Sequence, residues 1–339
     1  MHRAIGAFSF GDRQRDSGRG GVLDREGDKM AAMALAPVSR PVPVPEAEDA
    51  GGWQFADAPA RSVMVDGVPI SYRLWDDAPA GAPTLLFLHG FRAHSRWWDH
   101  IVPFFRDGYR VATMDFSGLG DSGWRDRYTM RGFAREILAV IADAGLAPVT
   151  VVAHSFGGSP AAFASMIDPG AIRHAVIIDT RMILAGVPDP QPIELQAFNA
   201  SKRIYKDMDE VRGRYRLIPS SGAVDAGILD HIVRHSARED RGGWTWKFDP
   251  SFDPQLTDDP DRLVPPGVAM PIDYIYGDRS GVITPELAEL IVSLLPNCRA
   301  PIVIPHSDHH VLLEQPVALV AVVRALLMRG PLQADGDPR

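Results

Sequence analysis

The chain has 339 residues, 45% hydrophobic and 23% charged, which is enough apolar material for one large domain carrying an insertion. Its net charge of −8 and the lack of a useful basic run exclude a nucleic-acid surface. The lone cysteine, Cys298, excludes an internal disulfide framework and points to a reducing compartment.

Residues 1–50 stand apart. Residues 11–29 are rich in Gly, Arg and Asp, and Pro37, Pro41, Pro43 and Pro45 alternate with valine and small residues, so a disordered or extended N-terminal extension is expected. Met30 and Met33 are candidates for the translation start. From residue 52 the texture changes. Ser62–Val65 and Val68–Trp75 are strand-like runs joined by Asp66 and Gly67, a hairpin signal. Six more strands are expected at Thr84–Leu88, Arg110–Met114, Val149–Val152, Ala175–Ile178, Ile272–Tyr276 and Pro301–Ile304. Helices are expected between them, for example Ser95–Phe105 and Met130–Ala144. In the second, Phe133, Ile137, Leu138 and Ile141 share one face. Alternating strands and helices after an opening hairpin imply an α/β fold with an eight-stranded, mostly parallel sheet covered on both faces.

The alternation breaks between the sixth and seventh strands. Residues 181–270 are rich in Met, Ile, Leu, Arg and Trp, with helical stretches at Ile193–Asp207 and Val224–Ser236. They are expected to form a helical lid over the carboxyl edge of a core made from residues 52–180 and 271–330. Trp244 and Trp246 are expected to pack this lid onto the body. Val317–Met328 contains Arg324 at helical spacing and is expected as a packed C-terminal helix. No apolar run reaches the roughly 18 residues of a membrane helix, and the N-terminus lacks the apolar centre of a signal peptide. A cytoplasmic protein with neither a membrane nor a nucleic-acid partner is expected.

The most informative stretch is Val151–Gly158. A β-branched run (Thr150, Val151, Val152) ends at small residues, and a helical pattern from Pro160 follows. Ser155, with Ala153 and Gly157 two positions either side, matches a strand–turn–helix nucleophile elbow in which alanine replaces the first glycine. Taken alone it also fits a serine N-cap. Gly118, Gly120 and Gly123 formally match G-x-G-x-x-G, but they follow the fourth strand and run into the polar segment Trp124–Arg127, against dinucleotide binding. His306, Asp308, His309 and His310 lack the spacing of a zinc site. No cofactor and no metal is expected. Cys298 has no motif around it and is taken as structural.

Several segments, in order, resemble the α/β-hydrolase family. Leu85–Phe91 is similar to its H-G ending of strand three, and Asp115–Ser122 to its D-x-x-G-x-G-x-S loop after strand four. Ser307–Pro316 resembles its G-H-x(4)-E-x-P segment, and Gly243–Pro250 a phrase that closes its lid. The resemblance covers about residues 60–328 and implies that Ser155 is the nucleophile. With Glu314 and Pro316 setting the register, it implies that His309 is the base, not His306 or His310. It also implies an oxyanion hole from the backbone N–H groups of Phe91 and Phe156. Trp98 and His94, in the loop after strand three, are candidates for lining the substrate pocket, and Trp97 is an alternative to Trp98.

The acid departs from the family pattern. In Gly277–Ser280 a serine stands where the family's G-x-x-D places its aspartate. Some branches carry the acid at the end of strand six, where this chain has Asp179. Asp179 is the first candidate, Asp278 the second and Asp308 a remote third. The implied activity is hydrolysis of a small or medium organic ester or lactone through an acyl-enzyme. A carbon–carbon bond hydrolase and a cofactor-free oxygenase use the same fold, and a non-catalytic ligand receptor is the alternative of another class. The expected partner is a small-molecule substrate. A homodimer is compatible with the chain, but the sequence does not determine the oligomeric state.

Overall fold

The structure is a computed structural model that describes residues 52–182, 203–252, 259, 263–264 and 267–331. The expected extension of residues 1–50 and most of the expected helix Ile193–Asp207 lie outside the described residues. Ten strands occur among the described residues: β1 (Ala60–Val65), β2 (Val68–Trp75), β3 (Thr84–Leu88), β4 (Arg110–Met114), β5 (Val149–His154), β6 (Ile172–Ile178), β7 (Ala237–Asp240), β8 (Gly243–Trp246), β9 (Ile272–Gly277) and β10 (Ile302–Ile304). Eight of them form one sheet in the order β1-β2-β4-β3-β5-β6-β9-β10. The β1–β2 and β2–β4 pairs are antiparallel, and every other pair is parallel.

β3 and β5 are buried along their whole length because both faces of the sheet are covered. Side chains alternate between the two faces. Leu86, Leu88, Val151, Ala153 and Ile177 pack with α1 (Met130–Asp143), α2 (Gly158–Ile167) and α5 (Pro285–Leu294). Leu85, Phe87, Val152, Val176 and Ile178 pack with Trp98, Phe105 and the α6 helix (Pro316–Arg329). Helix starts follow their capping residues. The Thr129 side chain accepts from Gly132 N at the head of α1, and Thr284 accepts from Leu287 N at the head of α5.

Two expected elements differ. Ser95–Phe105 is not an α-helix but two 3-10 turns, Ser95–Trp98 and Val102–Phe104. Pro103 lacks an amide hydrogen, so a continuous ladder does not form across it, and the Asp115 carboxylate takes the first amide of the segment, Ser95 N, at 2.6 Å. The insertion after β6 is not all helical. It contains α3 (Met208–Arg214), α4 (Ala226–Ser236) and the β7–β8 hairpin. The described end of the expected Ile193–Asp207 helix is extended instead, with Tyr205 bridged to Trp244.

The expected role of Trp244 and Trp246 also needs correction. Residues two apart on a strand share a face. Both pack within the insertion, in a cluster with Tyr205, Val211, Leu229 and Val233. The insertion meets the body elsewhere, through Ile228 and Ile232 of α4, which are buried in one cluster with Trp97, Trp98 and Val311, and through polar contacts. Lys247 Nζ lies 2.6 Å from Asp121, Tyr128 Oη donates to Asp249 at 2.6 Å, and Asp249 N donates to Gly118 O at 2.7 Å. Among the described residues no helix is long and apolar enough to cross a membrane.

Candidate active site

The site lies at the carboxyl edge of the parallel strands, where open α/β sheets place their functional loops. Arg92, Ser155, Asp179 and His306 have φ of 53°, 51°, 46° and 57°, in the loops after β3, β5, β6 and β10. Non-glycine residues in this left-handed region carry strain that the surrounding structure must hold.

Ser155 follows β5 directly and opens a 3-10 turn, Ser155–Gly157, that leads into α2. The turn presses against the end of β3. A Cβ on Gly157 would lie 2.9 Å from His89 O, which explains why a glycine is required there. Gly90 is equally confined, since a Cβ would lie 2.9 Å from His154 Nδ1 and 3.3 Å from Ser155 Cβ. The elbow reading of Ser155 therefore fits the backbone, and the side-chain N-cap reading does not, because no side-chain cap bond opens α2.

His309 lies on the loop after β10 and is 5% exposed. Its Nδ1 is 2.7 Å from Asp179 Oδ1, and its Nε2 is 2.9 Å from Ser155 Oγ. A carboxylate only accepts, so Nδ1 carries the hydrogen and Nε2 is left to accept the Ser155 hydroxyl proton. The loop is fixed from several sides. Glu314 accepts from Asp308 N at 2.6 Å and from Ser307 Oγ at 3.0 Å, and His154 Nε2 donates to His309 O at 2.9 Å.

Asp179 follows β6 and is fully buried. Its amide donates to Ile275 O at 2.7 Å, which extends the β6–β9 pairing to the acid itself. Its Oδ2 accepts from Gly277 N at 3.0 Å, and its Oδ1 accepts from Ser280 Oγ at 2.7 Å. Asp278 is exposed, and its Oδ1 accepts from Ser307 N at 3.1 Å. The second acid candidate therefore braces the backbone of the histidine loop and does not meet the ring. The third, Asp308, turns toward the insertion, where a Cβ on Gly222 would lie 3.2 Å from its Oδ2.

Two further histidines surround His309. His154 is pushed down to about 3, first by burial and then by repulsion from His309. His310 is also held well below its ordinary value by burial, and its Nδ1 is 2.6 Å from Ser221 Oγ in the insertion. Burial disfavours a proton on either ring. Both lie in stretches that the sequence singled out, His154 in Val151–Gly158 and His310 in Ser307–Pro316, but at positions to which neither pattern gives a role. His306 is exposed and lies 2.6 Å from an Arg279 guanidinium nitrogen.

The remaining candidates divide. Phe91 and Phe156, proposed from their backbone amides, meet edge-on with ring centroids 6.3 Å apart, beside Phe116, Phe133 and Phe252. Trp98 does not line a pocket. It is 0% exposed and packs against Phe87 at 5.0 Å within the core, because its 3-10 turn directs it under the sheet face. Its neighbour Trp97 lies nearer the site, 5.6 Å from the His310 ring. His94 is buried, and its Nε2 is 2.9 Å from Ser236 Oγ at the end of α4, so it ties the loop after β3 to the insertion. Burial drives its imidazole well below the ordinary value, helped by the charge of Lys247. Among the described residues no group of three His, Cys, Asp or Glu side chains is arranged to hold a metal ion. The glycine-rich loop after β4 leads to α1 only at Met130, without a helix N-terminus for a phosphate.

Comparison with known proteins agrees with this architecture. An esterase of Mycobacterium tuberculosis, Rv0045c, is 25% identical over 254 residues, covering 73% of this chain and 83% of its own. The mouse sn-1-specific diacylglycerol lipase ABHD11 is 24% identical over 271 residues, covering 77% and 85%. Among solved structures, E-2-(acetamidomethylene)succinate hydrolase superposes with a TM-score of 0.65 at 19% identity, covering 80% of this chain and 99% of that one. Residues 85–322 match the alpha/beta hydrolase family. The chain belongs to that family.

Proposed function

We propose that this protein is a serine hydrolase that cleaves a small or medium organic ester or lactone through an acyl-enzyme. The observation that carries this reading is the continuous hydrogen-bond chain from Asp179 through His309 to Ser155. Ser155 Oγ attacks the carbonyl carbon as its proton passes to His309 Nε2. The negative charge moves to the carbonyl oxygen, where the amides of Phe91 and Phe156 and the start of α2 meet it. Asp179 keeps the Nδ1–H tautomer and offsets the imidazolium charge. The tetrahedral intermediate collapses, the C–O bond breaks, and His309 returns the proton to the leaving alcohol. In a lactone that alcohol remains part of the acyl group. Water then repeats the sequence, releasing the acid and restoring Ser155. In this reading the insertion after β6 acts as the lid that limits which substrates enter. The esterase and lipase names of the relatives support an ester substrate.

The test is incubation of purified protein with p-nitrophenyl acetate, a panel of lactones and a fluorophosphonate probe, beside Ser155→Ala. Turnover with one probe adduct on the Ser155 peptide is expected, with a loss of roughly a millionfold in kcat for the variant. A wild-type chain that neither turns over nor labels contradicts the reading and favours a ligand receptor of this fold.

A further inference from the structure

The loop after β9 holds a serine where the family's acid is expected, and that serine still reaches the triad. Ser280 is half-buried, and its Oγ is 2.7 Å from Asp179 Oδ1, the same oxygen that receives His309 Nδ1. Its hydroxyl hydrogen has one available direction. A serine hydroxyl has one hydrogen and two lone pairs, and the Ser280 oxygen already accepts from Val282 N at 3.1 Å and Ile283 N at 3.0 Å. Two incoming donors leave the hydrogen pointing at Asp179. Asp179 thus receives three donors: His309 and Ser280 on Oδ1, and Gly277 N on Oδ2. Gly277 and Ser280 belong to one turn, closed by Ser280 N donating to Gly277 O at 3.1 Å.

We propose that Ser280 is a positioning residue for the hydrolytic triad: its hydroxyl fixes the rotation of the Asp179 carboxylate so that Oδ1 faces His309. The inference rests on the serine-hydrolase reading above. It gives the β9 loop a part in catalysis although its acid has moved to β6. Asp179 leaves β6 in a strained backbone conformation, φ 46°, and is fully buried without a cation bonded to either oxygen among the described residues. Its orientation then depends on neutral donors alone. Loss of the Ser280 donor leaves Oδ1 with His309 only, and the carboxylate can turn away as the imidazole takes up its proton. The competing account is that Ser280 merely caps the turn at residues 282–283, in which case its hydrogen matters little.

The experiment compares wild type with Ser280→Ala, Ser280→Thr and Ser280→Cys. The readouts are p-nitrophenyl acetate kinetics, thermal midpoint, fluorophosphonate labelling of Ser155, and the far-downfield proton resonance of His309 Nδ1–H. Ser280→Ala is expected to lower kcat about tenfold, in line with the loss of other groups that orient a reacting residue, with KM within about twofold. Its Nδ1–H resonance is expected to move or broaden. Threonine keeps the hydroxyl and is expected to restore most of kcat and the resonance. Cysteine, close to serine in size and a weaker donor, is expected to fall between, and it covers the case in which the alanine variant does not fold. Full kcat and an unmoved resonance in Ser280→Ala, with wild type labelled at Ser155, overturn the role of Ser280 and leave the hydrolase reading intact. Equal loss in the alanine and threonine variants, with a lowered thermal midpoint, assigns Ser280 to turn stability and also overturns it. Failure of wild type to label overturns both readings.

Discussion

At the residue scale, the serine and the histidine were legible because their signals are local. Ser155 lies between Ala153 and Gly157 at the end of a β-branched run, and His309 is in register with Glu314 and Pro316. Glu314 has a physical part in that register, since it accepts from Asp308 N and Ser307 Oγ beside His309. The acid was not legible to the same degree. Asp179 and Asp278 follow neighbouring parallel strands, β6 and β9. Which of them meets His309 depends on a contact across the sheet that no local pattern encodes. The expected pocket residue Trp98 failed for a related reason, because Trp97 and Trp98 are adjacent and only the turn geometry decides which one enters the core. Cys298 behaves as its isolated position suggests. Burial, followed by the charge of Asp273, pushes its thiol up to about 12. Folded protein at pH 8 is expected to react slowly with a disulfide reagent such as dithiobis-nitrobenzoate, and one thiol should titrate at once in guanidinium. Fast reaction of the folded chain contradicts this environment.

At the scale of elements, the parallel core strands matched the expected segments to within a few residues, since buried β-branched runs leave few alternatives. The helix expected at Ser95–Phe105 and the all-helical insertion did not. In the first, Pro103 has no amide hydrogen with which to continue the ladder. In the second, the Trp244–Trp246 run pairs with Ala237–Asp240 as a hairpin. The attachment of the insertion is testable at Tyr128, whose hydroxyl donates to the buried Asp249 carboxylate at 2.6 Å. Tyr128→Phe is expected to cost about 1–3 kcal/mol, the range for depriving a buried acceptor of its donor, as read by urea unfolding. Asp249→Ala in the same background should add less than it does alone, because the shared bond is already lost. Strict additivity of the two changes contradicts the coupling.

At the scale of the whole molecule, the chain keeps a set of neutral histidines in its interior. Burial lowers His100 to about 4 and His154 to about 3, from an ordinary value of 6.5. Because these folded values lie below the unfolded one, the unfolded chain takes up protons first as pH falls. Stability is therefore intact above about pH 6.5 and declines below it, down to about 4 for His100 and about 3 for His154. Each histidine is expected to remove about 1 kcal/mol per pH unit across its window. Urea unfolding at pH 7.5 and pH 5 should reveal this loss, and His100→Gln, which can still donate to Leu312 O, should flatten the dependence. A stability independent of pH over this range contradicts it. The burial of these histidines was not legible in the sequence, because burial of a single polar side chain is decided only when the layers close over it.

The central claim is that Asp179, not Asp278, supports the histidine that activates Ser155. It is tested most directly by the steady-state rates of purified Asp179→Asn and Asp278→Asn on an ester that wild type hydrolyses. Asp179→Asn is expected to lose roughly a thousandfold or more in kcat, as when a triad acid loses its charge, while Asp278→Asn stays near wild type. Near-wild-type turnover in Asp179→Asn, with collapse in Asp278→Asn, contradicts the account.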